Sequence, residues 1–388
     1  MRTQQTRCFA ARTAPAIAVL SGLTACAPAG ASTQTPHTAG THIVRAGQSI
    51  QRAVDGAKPG DTVLIGPGTY HESVQVTVSD LTIRGSGRGT VITPAVGAAK
   101  PAKPAKRAKP AKPAKAAKPA NACATAGNGV CVTGTAQRKV SGVRISSLTV
   151  KGFAKNGVWG FQTDRMTVRD VLSESNGQQG IGQEKSTRGL FAGNTSRNNT
   201  ESGIFLANTV TEEGGATDTK GAVVRHNTLS GNRIGVVIRR LRNLSVDHNT
   251  ATGNCGGVFV VGDEGTPRGG ALAVSQNQVT GNNRYCAASA RLPVIQGAGI
   301  VLTGVEKTVV SGNDVRGNVG TAPMSGGIVL YASVVGTPNT GNSVTRNTVQ
   351  DNKPADLANR DAKGTGNTFT GHTCAASEPA GLCGKATS

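Results

Sequence analysis

Aromatic side chains are scarce in this chain: one Trp, three Tyr and seven Phe among 388 residues. With 53 glycines beside them, and Asn, Thr and Val recurring throughout, the composition argues against a helical bundle. It fits many short strands separated by Gly and Asn turns. No Cys-x-x-Cys occurs and no histidines cluster beside the cysteines, which makes a zinc site a poor reading. An acidic cluster at calcium-site spacing is also missing. The apolar run Ala16–Leu20 is too short to span a bilayer.

What the chain has in excess is positive charge, formally +21. Its distribution weakens the nucleic-acid reading. Eight of the cations, from Lys100 to Lys118, fall in one low-complexity tract, and the rest are scattered as on a solvated surface. A basic surface still favours polyanions, among them acidic polysaccharide, cell-wall polymer and lipid headgroups. For an exported protein nucleic acid ranks last.

Export is read from residues 1–26. Arg2, Arg7 and Arg12 precede the short apolar core, and Leu23-Thr24-Ala25-Cys26 resembles the lipobox of a bacterial lipoprotein signal. In that reading Cys26 is lipidated and the protein is an extracellular, membrane-anchored lipoprotein. The alternative is free secretion after cleavage at Ala29-Gly30-Ala31. Residues 27–41 read as a flexible tether. Export puts the later cysteines in an oxidising compartment. Sequence proximity, among fifteen formal pairings, selects Cys123–Cys131, Cys255–Cys286 and Cys374–Cys383.

The strongest signal is internal repetition. Two Asn residues five apart follow an alternating apolar strand, as Asn227/Asn232 and Asn249/Asn254. The pair recurs as Asn194/Asn199, Asn277/Asn282, Asn313/Asn318 and Asn347/Asn352. Successive first members lie 33, 22, 28, 36 and 34 residues apart, a core period near 22 with insertions. Such a period belongs to solenoids. Each repeat then supplies a Gly-apolar-x-apolar strand, such as Gly203–Leu206, Gly257–Val260 and Gly327–Leu330. Its second and fourth residues point into one interior, which stacked neighbours bury together. The expected fold is therefore all-β, a single-stranded right-handed parallel β-helix over residues 42–388. The recurring Asn residues are read as buried ladders that satisfy polar groups, not as an active site.

A short amphipathic helix at Ser49–Ala57 suits a cap on the open end of the solenoid. The stretch from Ser49-Ile50-Gln51 through Pro59-Gly60-Asp61, Gly66-Pro67-Gly68-Thr69-Tyr70 and Leu81-Thr82-Ile83-Arg84-Gly85 resembles the entry segment of pectate-lyase-like β-helix proteins. That segment is shared by carbohydrate-active β-helices, pectin methylesterases and periplasmic copper-accessory proteins. The resemblance covers roughly residues 42–370 and is specific for fold, weak for function. The Lys-Pro-Ala tract at residues 98–120 interrupts the second coil as an extended, disordered loop. It reads either as a basic arm touching anionic polymer or as a tolerated expansion.

The resemblance implies chemistry on the outer face of one parallel sheet, beneath longer loops. Outward positions of the Gly-apolar strands include Trp159, Phe161, Glu184, Phe205, Arg239, Phe259 and Tyr331, with Asp263 at the mouth of the next loop. Trp159, Phe205, Phe259 and Tyr331 suit stacking against sugar rings. Glu184, Arg239 and Asp263 are the candidate catalytic groups. A lyase or epimerase needs a base and a cation, whereas a hydrolase needs two carboxylates. The competing reading is an apolar stripe covered by the insertions 208–220, 262–270 and 287–297. The catalytic motifs of polygalacturonases, pectate lyases, alginate epimerases and pectin methylesterases are absent, so no catalytic residue carries over. Metal ligands are not evident; calcium enters by analogy only. A copper-handling role suits poorly, because three methionines and disulfide-bound cysteines leave few soft ligands. His226 and His248, one coil apart, read as surface residues. The expectation is thus a monomer that binds, and in one reading cleaves or modifies, an acidic polysaccharide. The alternative is a non-catalytic cell-surface structural or interaction protein.

Overall fold

The computed structural model describes residues 38–97, 121–209, 214–289 and 292–384. The chain divides into two compact units, Met1–Thr38 and Ala39–Ser388, and every described strand and helix belongs to the second. The lipobox, most of the tether and the Lys-Pro-Ala tract lie outside the described residues.

From Thr41 to Glu378 short strands stack into three long parallel sheets of twelve, ten and eleven strands. We call these sheets A, B and C in that order. Each complete coil contributes one strand to each sheet. In one such coil, Leu241–Asp247 belongs to A, Thr250–Thr252 to B and Gly256–Val261 to C. The Gly-apolar quartets all fall in sheet C, and their expected inward residues are sealed. Ile204, Leu206, Val236, Ile238, Val258 and Leu302 are 0% or nearly 0% exposed. Such a core needs neighbours on both sides of every coil, so its stability is shared along the stack.

Two Asn ladders run along the corners. Asn194, Asn227, Asn249, Asn277 and Asn313 each donate from Nδ2 to the Oδ1 of the next Asn, at 2.8–2.9 Å. Asn199 through Asn318 do the same at the second corner, at 2.9–3.1 Å. Each Oδ1 also accepts the backbone N–H of the preceding Asn. These buried polar groups are therefore satisfied within the stack. The residue before each ladder Asn turns the corner with a left-handed backbone, as at His226, His248 and Asn198 (φ 53°, 53° and 56°). Asn and Gly accept that conformation at least cost.

The amide-to-amide bonds all point toward the C-terminus, while the second N–H of most ladder amides returns to a carbonyl of the preceding coil, as Asn227 does to Phe191. The ladders stop on groups that accept. Asn352 donates to Asp356 Oδ1 at 3.1 Å, and the Asn347 backbone N–H donates to His372 Nδ1 at 3.3 Å; at a third corner, outside the two ladders, Asn339 likewise donates to Asp361 Oδ2 at 2.9 Å. His372 in turn donates from Nε2 to the Val344 carbonyl at 3.1 Å, which fixes it as a neutral imidazole. Burial lowers its pKa below the ordinary histidine value, against two weaker backbone contacts that raise it.

The opposite end is closed by the helix Ile50–Gly56, capped by the Ser49 side chain, with Ile50 and Val54 buried. Glu72 reaches across to accept from the Ile50 and Gln51 N–H groups at 2.7 and 3.1 Å. A carboxylate there offsets the unsatisfied donors and positive end of the helix. All three disulfides chosen by sequence proximity form: Cys123–Cys131, Cys255–Cys286 and Cys374–Cys383.

Candidate functional site

Strand register, not loop design, assembles the outer face of sheet C. One row of outward residues runs Trp159, Gly182, Phe205, Val237, Phe259, Val301, Val329. The row beside it runs Phe161, Glu184, Ala207, Arg239, Val261, Thr303, Tyr331, Arg360. Successive members stand about 4.8 Å apart, the strand spacing.

The first row is largely closed. Phe205, Val237, Phe259, Val301 and Val329 belong to a second apolar cluster with Ile234, Ile295, Met324 and Cys255. Leu292 and Cys286 pack on it from the long connection after Asn282, which the Cys255–Cys286 disulfide ties down. Phe259 is only 2% exposed, so the expectation of a sugar-stacking ring there is corrected: the insertion covers it. Phe205 keeps 9% exposure and is mainly a neighbour for Trp159, its ring centroid 6.3 Å away and nearly parallel. Gly182 makes that arrangement possible, since a Cβ there would sit 2.6 Å from the Trp159 ring.

The second row stays partly open. Phe161, Glu184, Arg239, Val261, Thr303, Tyr331 and Arg360 are all half-buried, interrupted by buried Ala207. Glu184 and Arg239 flank that alanine, about 10 Å apart along the stack. Arg360, which the sequence reading left out, ends the row, held by Glu378 at 2.9 Å and by the Ser325 carbonyl at 2.8 Å.

Asp263 does not join them as a base. It is 7% exposed and ion-paired with Arg240, itself 5% exposed, and it accepts the Gly265 N–H at 3.0 Å. A buried carboxylate held by a guanidinium and a backbone donor braces its loop and offers no open oxygen to a substrate. Glu184 is consequently the one carboxylate among the residues of the two rows.

Nearby, the turn from sheet C to sheet A holds a network that the sequence reading missed. Asp164 accepts from Arg188 Nε and Thr187 Oγ1, each at 2.8 Å. The Arg188 hydrogen bonds lead in holding its carboxyl at about 2, against a burial penalty that pushes the other way. The 24-residue separation, one coil, was the available signal. The His226 and His248 rings meet on the surface with centroids 5.0 Å apart and planes tilted by 36°, and His248 Nδ1 lies 3.0 Å from Asp247.

The comparisons agree with this architecture. The sequence matches the model of the right-handed β-helix region over residues 120–272. It matches that of the periplasmic copper-binding protein NosD over residues 208–378. The chain is a right-handed parallel β-helix repeat protein. Among solved structures it is similar to the A-module of the mannuronan C-5 epimerase AlgE6 from Azotobacter vinelandii. That match has 17% identity and a TM-score of 0.50, covering 85% of this chain and 90% of that one. It is also similar to a double mutant of the periplasmic alginate epimerase AlgG, at 12% identity and a TM-score of 0.50 over 85% and 73% of the two chains. These likenesses are of fold. No curated protein matches the chain. The described residues do not fit a copper centre: the six cysteines are in disulfides, and no group of three or more His, Cys, Asp or Glu side chains is disposed to hold a metal ion.

Proposed function

We propose that this is an exported protein that binds an acidic polysaccharide along the outer face of sheet C, with Glu184 and Arg239 at the centre of the contact. The observation that carries the reading is the half-open second row. It places rings at Phe161 and Tyr331, a carboxylate at Glu184 and a guanidinium at Arg239 in one line at strand spacing. Rings of this kind stack on sugars, and the guanidinium suits a uronate carboxylate. Trp159 lies beside Phe161 on the same strand, in the adjacent row.

With Asp263 committed to Arg240, the described residues of the face lack the paired carboxylates that glycoside hydrolysis needs. One base beside one cation suits proton abstraction next to a carboxylate, the step common to lyases and epimerases. Three disulfides fit an oxidising compartment. Lipidation at Cys26 would hold the body at a membrane surface, and Cys26→Ala should then release it into the medium. A second reading, a non-catalytic surface protein, draws on the covered cluster around Phe259, which closes much of the face.

The test is incubation with mannuronan, alginate and polygalacturonate in heavy water, read by mass spectrometry. Cleavage without uptake of water identifies a lyase, and deuterium uptake without cleavage an epimerase. Either activity should vanish in Glu184→Gln and Arg239→Ala. Unchanged masses together with no measurable polymer binding would sink the polysaccharide reading.

A further inference from the structure

Sheet A has its own outer face, and no long insertion of the described chain lies over its N-terminal half. Two registers define its outward rows there. One runs Leu64, Arg84, Ser146, Arg169, Ala192, Arg225; the other places Arg144 between Thr82 and Thr167. The alternate inward residues Ile83, Ile145, Val168 and Val224 are fully buried, so the four arginines point outward, and all four are exposed.

Arginines elsewhere are mostly engaged: Arg188 with Asp164, Arg197 with Glu174, Arg242 with Glu306, Arg316 with Asp314 and Arg360 with Glu378. By contrast, Arg84, Arg144, Arg169 and Arg225 make no side-chain hydrogen bond or ion pair with any described residue. Arg84, Arg144 and Arg169 border an open concavity of about 360 Å³, with Thr82, Ser146 and Thr167 on its floor. Asp170 lies at its edge, and Asp247 follows Arg225 on the next rung. Those two carboxylates leave the stripe net positive.

We propose that this stripe is a second binding face, which docks a linear anionic polysaccharide along the solenoid axis. Arg84, Arg169 and Arg225 recur at every second strand, about 10 Å apart, with the small Ser146 and Ala192 between them. A straight row of equally spaced guanidiniums fits a chain with a regular repeat of carboxylate or sulfate groups. Guanidinium binds both in bidentate fashion. The threonine and serine hydroxyls between the cations suit sugar hydroxyls. Single-stranded nucleic acid is the poorer fit, because neither row here carries an aromatic ring for bases to stack on. The stripe is independent of any event at Glu184. It would hold a long polymer while sheet C engages one stretch of it, raising the local concentration of chain.

The test compares two triple variants of the whole protein by titration with mannuronan and polygalacturonate at low and physiological salt. Arg84→Ala/Arg144→Ala/Arg169→Ala should weaken binding of long chains at least tenfold at low salt and flatten the salt dependence. Arg45→Ala/Arg52→Ala/Arg138→Ala removes the same charge from other exposed sites and should stay within twofold. Equal losses in both, or no loss in the first, would overturn the proposal. A single-stranded oligonucleotide of matched charge that binds as tightly as the polysaccharide would overturn the choice of partner. The first proposal stays separable: Arg239→Ala should abolish any turnover, whichever way the two triple variants bind.

Discussion

The outer faces of sheets A and C are built from the same coils, at the same spacing, above the same sealed core, yet they meet solvent differently. Sheet C carries apolar residues outward, and its connections return to cover them, as Ile295, Leu292 and Met324 do over Phe259. Sheet A carries threonine, serine and exposed arginine over its N-terminal half, and that half stays open. The inward alternation is dictated by the core, so it repeats in every coil. The outward alternation is under no such constraint, and what occupies it is set by whether an insertion returns over it. A solenoid can thus give its faces different tasks without altering its interior.

The largest expected effect abolishes the comparison by weakening both faces at once. Asn254→Ala removes an amide that donates to Asn282 and to the Leu229 carbonyl and accepts from the Asn232 N–H. Several buried groups lose partners at 1–3 kcal/mol each, so chemical denaturation should show a loss of about 4 kcal/mol. Next, Phe259→Ala should cost about 3 kcal/mol, as for other buried aromatics, and leave polymer affinity unchanged. A fall in affinity at unchanged stability would show instead that the ring meets the polymer. Gly182→Val should displace Trp159, costing about 2 kcal/mol and altering the tryptophan fluorescence. The same exchange of small for large on sheet A, Ser146→Val, should change stability by less than about 0.5 kcal/mol, because that face is open.

Two smaller effects depend on pH. The His372 pKa is depressed on folding, so the stability it contributes is present above the ordinary histidine value. That stability declines as pH falls through this value toward the folded one, since a protonated Nδ1 would face the Asn347 N–H. Amide exchange should therefore speed up in the last coils at mildly acid pH, and His372→Asn should remove the pH dependence. Asp164 also has a depressed pKa, from 3.8 to about 2. Its contribution is complete above 3.8 and is lost as pH falls from there toward 2. Because Arg188 is half exposed, Asp164→Asn should cost only about 1 kcal/mol at neutral pH.

Much of the fold was legible because its determinants repeat. The paired Asn residues and the Gly-apolar quartets are spaced by the coil itself, so aligning them recovers the true neighbours of sheet C, from Trp159 beside Gly182 to Val329 beside Val301. Ser49 as a helix cap and the short-range disulfides were legible for local reasons. The candidate site was less so, because alternation tells which way a side chain points and not what lies above it. Phe259 points outward and is covered by Ile295, a residue 36 positions later on an insertion that has no copy in other coils. Asp263 looked like a loop carboxylate because its partner, Arg240, belongs to the preceding coil. The arginine stripe was hidden for the opposite reason: Arg84, Arg144, Arg169 and Arg225 lie far apart in sequence, inside strands that spoke only of fold.

The one-way ladders bear on how such a chain can lengthen. A coil duplicated within the stack receives a donor from one neighbour and hands a donor to the next, so the copy joins without leaving any amide unanswered. Appended beyond Asp356, Asp361 and His372, the same coil would be offered only acceptors already filled from the other side. Gene growth in this lineage should therefore proceed by internal duplication, with the terminal carboxylates and imidazole carried along unchanged as a punctuation mark.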